Sequence, residues 1–91
     1  MKLSEEQIKQ FNEEGYIFLP SCFSKDEITV LNDAAAAIYK SDREQVWRES
    51  SGVARTAFAA HTYNEAHRRL GAHPRLITPI EQLLGGDVYM H

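Results

Sequence analysis

Two helix starts of the same design, twenty residues apart, restrict this chain more than any other feature. Ser4-Glu5-Glu6-Gln7 and Ser24-Lys25-Asp26-Glu27 are both capping boxes. The serine hydroxyl takes the backbone N–H three residues on, and the Gln or Glu there reaches back to the serine N–H. The first box predicts a helix over 4–14, with Ile8 and Phe11 on its buried face and Gly15 as a left-handed cap. The second predicts a helix over 24–40, because Ile28, Leu31, Ala35 and Ile38 recur at helical spacing. Between them, Tyr16-Ile17-Phe18-Leu19 is short and aromatic and runs into Pro20. A strand over 16–19 is the expectation, at an edge or rim of a sheet.

Beyond the second helix the signals are weaker. Residues 41–52 are polar and charged with Trp47 alone among them, which predicts a loop or irregular helix. Val53 to Phe58 alternates weakly, with Val53, Arg55 and Ala57 on one face and Ala54, Thr56 and Phe58 on the other, so a strand is expected over 53–58. Thr62 or Asn64 can cap a short helix over 63–70, ended by Gly71. His73-Pro74 opens a last helix over 75–84, since proline at the first helical position loses no hydrogen bond. Its expected buried stripe is Leu76/Ile77, Ile80 and Leu83/Leu84, and Pro79 either shifts its start or kinks it. Gly85-Gly86 then leads into a strand over 87–91. A strand edge left unpaired at a terminus is a liability, so the chain is expected to be the front portion of a larger fold.

A chain of 91 residues is one small domain at most. With 43% hydrophobic and 25% charged residues it has the makings of a folded core. A net charge of −3 supplies no electrostatic ground for binding nucleic acid or an anionic membrane surface. Cys22 is the single cysteine, so no internal disulfide forms, and a reducing cytoplasm is the simplest compartment. The amino terminus lacks the apolar run of a signal peptide, and no stretch approaches the roughly 20 apolar residues of a membrane span.

The residues able to carry chemistry are few. A site of two histidines and one carboxylate usually draws a His-x-Asp or His-x-Glu pair from an extended segment. Tyr63, Arg69 and Arg75 stand two residues after His61, His67 and His73, and nothing follows His91. His67, beside Arg68 and Arg69, reads as part of a solvated helix face, and His73 as a helix cap. His61 either points into a cavity lined by the preceding strand or closes a turn. Cys22 has no neighbour to lower its pKa and reads as a small buried residue. Arg55 pairs with an anionic ligand or with a structural carboxylate such as Asp87. No phosphate loop, paired-cysteine zinc motif or serine elbow is present. By its own residues the chain does no redox or hydrolytic chemistry.

Three stretches together resemble the phytanoyl-CoA dioxygenase superfamily of non-haem iron, 2-oxoglutarate-dependent oxygenases. Leu3 to Pro20 is similar to its opening pattern of helix, Glu-Gly-Tyr and apolar strand, and Cys22 to Ile28 to its Phe-Ser-x-x-Glu second helix start. Val53 to His61 with Leu83 to His91 resembles the bacterial branch that hydroxylates ectoine and free amino acids. The resemblance implies an α+β fold in which helices and first strands lead into a double-stranded β-helix of the jelly-roll, cupin type, incomplete in this chain. It implies Fe(II) and 2-oxoglutarate as cofactors, with their ligands falling beyond His91, and a small amino-acid-like substrate. Phe58 matches an aromatic position lining the substrate pocket, His61 the position just after it, and Arg55 a basic position on the same strand. The remainder of the dioxygenase domain is the expected partner, and the 91 residues alone are expected to be inactive. The rival reading is a non-catalytic helical module, binding a partner or pairing its last strand in a homodimer.

Overall fold

The computed structural model describes residues 2–91. Its elements in order are α1 (Glu5–Glu14), α2 (Lys25–Lys40), β1 (Val46–Arg48), β2 (Ala54–Ala57), a 3-10 turn (Ala60–Thr62), α3 (Glu65–Gly71) and α4 (Pro74–Leu84). The chain divides into two compact units, one formed by residues up to Cys22 together with Gly71–His91, the other by Phe23–Leu70. Among the described residues, no helix is long and apolar enough to cross a membrane.

In the first unit, α1 begins as its sequence dictates. The Ser4 hydroxyl accepts from the Gln7 N–H at 3.1 Å, and Gln7 Oε1 accepts from the Ser4 N–H at 2.8 Å. Gly15, at φ 83, ends the helix by donating to the Phe11 carbonyl. The two ends of the unit are tied at Leu3, a buried residue whose N–H donates to Gln82 Oε1 at 2.7 Å. α4 starts with His73 as N-cap, its Nδ1 accepting from the Arg75 N–H at 3.1 Å, and ends at Gly85 with φ 75.

Pro79 neither moves nor ends α4; it lies inside the helix, and among the described residues its side chain is the fully buried one. Having no N–H, it cannot donate to the Arg75 carbonyl four residues back. The Cys22 thiol donates to that carbonyl instead, at 3.8 Å, while Arg75 Nη1 donates to the Cys22 carbonyl at 2.9 Å. Cys22 is therefore half-buried and engaged rather than simply packed away. The expected stripe of α4 is corrected accordingly: Ile80 and Leu84 are exposed, and burial centres on Pro79.

Two expected strands of this unit are absent. Residues 16–19 keep the alternation that suggested one, with Tyr16 and Phe18 exposed and their rings edge to face at 5.8 Å, and with Ile17 and Leu19 half-buried. A strand requires a hydrogen-bonded neighbour, however, and the described residues provide none for it. Residues 87–91 likewise form no ladder. The Met90 side chain instead lies over Gly71, its terminal methyl 3.0 Å from where a Cβ would stand.

In the second unit, α2 is opened by its own capping box, Ser24 with Glu27. Ile38 is buried on its inner face, Leu31 and Ala35 are half-buried, and Ile28 is exposed. β1 falls within the stretch expected to be loop and pairs antiparallel with β2. The polar composition hid it, since a three-residue strand shows too little alternation to register. Glu49 to Gly52 makes the connecting turn, closed by the Gly52 N–H on the Glu49 carbonyl at 2.9 Å, with Gly52 at φ 91. α2 packs against β2, and Val46 of β1 is buried. Arg48 fastens the hairpin to the end of α2, donating to the carbonyls of Tyr39, Ser41 and Gly52.

Candidate functional site

The residues singled out from sequence converge on the β1–β2 hairpin and the turn that follows it. The register pairs Val46 with Ala57, Trp47 with Thr56 and Arg48 with Ala54, with an irregularity at Trp47/Arg48. Arg55 is the unmatched residue, and so occupies a bulge. On strict alternation it would share the inner face with Ala57, where a charge is costly to bury. The bulge re-aims it outward. Its side chain is 69% exposed, and its Nε lies 3.8 Å from Glu49 Oε1. The carboxylate that Arg55 pairs with is therefore Glu49 across the hairpin turn, not Asp87.

Phe58 continues the pairing past β2, its N–H donating to the Gln45 carbonyl at 2.9 Å. Its ring lies on the outer face beside that of Trp47, with centroids 4.5 Å apart and planes tilted by 55°. This is the diagonal contact available to a long side chain two residues beyond the cross-strand partner. Both rings remain about half exposed, Trp47 at 54% and Phe58 at 49%. They form a continuous apolar surface with the Glu49–Arg55 ion pair on the same hairpin. Trp47 is the functional candidate that sequence reasoning left as a lone aromatic in a loop. Its spacing gave no signal until the register with Phe58 was known.

After Phe58 the chain reverses at Ala59, which adopts φ 53, and enters the 3-10 turn. A left-handed alanine is strained by roughly 1–2 kcal/mol, and here it turns Ala60 back toward α2. His61 lies half-buried in the turn, between Ala60 and a Thr62 whose hydroxyl donates to the Ala59 carbonyl at 2.7 Å. Tyr63 follows, with the Arg43 guanidinium 4.4 Å over its ring and its hydroxyl buried with no hydrogen-bond partner among the described residues.

His67 corrects another expectation. It is half-buried and lines a cavity of about 140 Å³ together with Ala35, Ile38, Tyr39, Ala57 and Ala60. Asn64 rather than Thr62 caps α3, its Oδ1 accepting from the His67 N–H at 3.0 Å and lying 3.0 Å from His67 Nδ1. The charged neighbours do face solvent: Arg68 and Arg69 both bind the Glu65 carboxylate. That pairing, with Arg68 foremost, holds the Glu65 carboxyl below its ordinary value of 4.5.

The iron implied by the resemblance does not fit the residues present. Among the described residues, no three of His, Cys, Asp and Glu are grouped so that they could hold a metal ion. What the hairpin presents at its outer face is the half-exposed aromatic pair of Trp47 and Phe58.

The proteins to which the chain is similar are those its three stretches suggested, ectoine dioxygenases and a proline hydroxylase. The chain is 31% identical to the ectoine dioxygenase of Stutzerimonas stutzeri over 98% of its own length and 31% of that protein. It is 33% identical to the ectoine dioxygenase of Sphingopyxis alaskensis over the same shares, 98% and 31%. It is also 31% identical to the L-proline trans-4-hydroxylase of Streptomyces griseoviridis, over 90% of the chain and 31% of that enzyme. The chain thus spans about 31% of the length of these relatives. No family model matches the chain.

Proposed function

We propose that this chain supplies part of the substrate-side wall of an oxygenase that hydroxylates a small amino-acid-like solute, with Phe58 and Trp47 as the wall. The observation that carries the reading is the similarity, over nearly the whole chain, to proteins named for ectoine and L-proline oxidation. In this reading the hairpin joins a jelly-roll barrel completed by residues outside the chain. Fe(II) and 2-oxoglutarate, implied by the resemblance, are then held by those same residues. Two features support a covering partner of this kind. Trp47, Phe58, Tyr89 and Met90 stand exposed, and the buried Tyr63 hydroxyl lacks an acceptor among the described residues. A buried hydroxyl left unpaired costs about 1–3 kcal/mol, which a completing segment or ordered water would recover.

The test is to replace the matching segment of the Stutzerimonas stutzeri ectoine dioxygenase with these 91 residues. Succinate release and hydroxylated ectoine or L-proline are then followed with Fe(II) and 2-oxoglutarate supplied. The reading predicts hydroxylation by the graft and none by the 91 residues alone. A graft that folds and loads iron but oxidises neither solute contradicts it. The rival, a non-catalytic binding or dimerisation module, predicts that inactive graft together with a 91-residue chain that melts cooperatively as a dimer.

A further inference from the structure

We propose that the hollow between α2, β2 and α3 is a binding site for a small single-ring molecule carrying one hydrogen-bond donor. Its lining comes from four elements: Ala35, Ile38 and Tyr39 on α2, Ala57 on β2, Ala60 in the 3-10 turn and His67 on α3. Three of these six are alanines, each on a different element, so the hollow exists because three neighbouring segments present methyl groups where larger side chains would meet.

The volume sets the size of the occupant. About 140 Å³ is close to the roughly 150 Å³ of an apolar cavity that accepts benzene, and well short of the roughly 300 Å³ at which drug-sized pockets begin. That size suits a single six-membered ring rather than a larger ligand.

His67 sets the polarity. Asn64 Oδ1 accepts the His67 backbone N–H, which fixes the amide with its oxygen toward the histidine, and that same oxygen lies 3.0 Å from Nδ1. A carbonyl oxygen only accepts, so Nδ1 carries the ring hydrogen and Nε2 of the neutral imidazole is left as an acceptor. No hydrogen bond to Nε2 is made among the described residues. The Tyr39 carbonyl is already taken by Arg48. His67 Nε2 is then an acceptor on the lining with no hydrogen bond among the described residues, which favours a ring bearing a single O–H or N–H over a bare hydrocarbon ring of the same size. This holds whether or not the chain serves an oxygenase.

Phenol and toluene have nearly the same shape and differ in that one donor. The chain is titrated with each while the methyl signals of Ala35, Ala57 and Ala60 and the nitrogen signals of the His67 ring are followed by NMR. Phenol is expected to shift these signals saturably and to bind about tenfold more tightly than toluene, the ratio expected of one hydrogen bond. His67→Phe should level the two ligands, and Ala60→Leu should abolish binding of both. Should Ala60→Leu disturb the turn, Ala35→Leu fills the hollow from a helix that tolerates leucine. Absence of a saturable shift, equal affinity of the two ligands, or a phenol preference that survives His67→Phe would overturn the proposal.

Discussion

Arg48 is the residue by which the hairpin is attached to α2, and its removal has a calculable consequence. One Nη2 donates to the Tyr39 carbonyl at 2.5 Å and the Ser41 carbonyl at 3.1 Å, and Nη1 donates to the Gly52 carbonyl at 3.1 Å. The Tyr39 carbonyl is among the last four of α2, which have no partner within the helix. Arg48 is exposed, so each bond is credited near the lower end of the net range, about 0.5–0.7 kcal/mol. Arg48→Met keeps the aliphatic stem and removes all three, for a loss of about 1.5–2 kcal/mol. In a chain of this size that corresponds to a Tm lower by about 6–16 °C. Arg48→Lys retains the charge, but one ammonium lacks the fork of donors that reaches three separate carbonyls, so less than half the loss should be recovered. Circular dichroism melts give the size of the effect. Amide exchange at Glu49 and Gly52, whose N–H groups close the turn, shows whether the hairpin is what loosens. A Met variant within about 0.5 kcal/mol of the parent, or a Lys variant equal to it, would refute the clamp.

Two further outcomes follow from single residues. Ser24→Ala removes the acceptor of the Glu27 N–H at the start of α2 and should cost about 1 kcal/mol in urea denaturation, whereas Ser24→Asp should be close to neutral. Glu65, whose folded carboxyl is held below 4.5 by Arg68 and then Arg69, supports α3 at every pH above the ordinary carboxylate range. That support is lost as pH falls through its lowered value; a Glu65 carboxyl NMR titration with its midpoint at or above 4.5 would contradict the pairing.

The helices were legible because their boundaries are written locally. Both capping boxes, the glycine caps at Gly15 and Gly85, and proline at the start of α4 are satisfied within three or four residues of one another. What escaped notice depends on residues distant in sequence. Tyr16 to Leu19 alternates as a strand does, yet no ladder partner faces it among the described residues. β1 is three residues long and exists because β2 pairs with it. His67 sits between charged neighbours that do face water, and only its packing against Ala57 and Ala60 around one hollow takes it out of their class. Arg55 illustrates the same limit within a single strand: alternation placed it on the face of Ala57, and a bulge visible only in the register took it to Glu49. Of the hairpin, the second strand was readable from its alternation, whereas Trp47 was set beside Phe58 only by the pairing that brings the two rings to 4.5 Å.

In the proposed function Phe58 faces the substrate. The most direct measurement is made on the graft of these 91 residues into the ectoine dioxygenase, comparing Phe58→Ala and Phe58→Leu with the parent graft for hydroxylated product and for succinate. A wall residue that positions the solute predicts a fall of about tenfold or more in kcat/KM for Phe58→Ala. Succinate should then exceed hydroxylated product, and Phe58→Leu should restore much of the coupling. A Phe58→Ala graft that hydroxylates with the parent's kcat/KM and matched succinate would contradict the account.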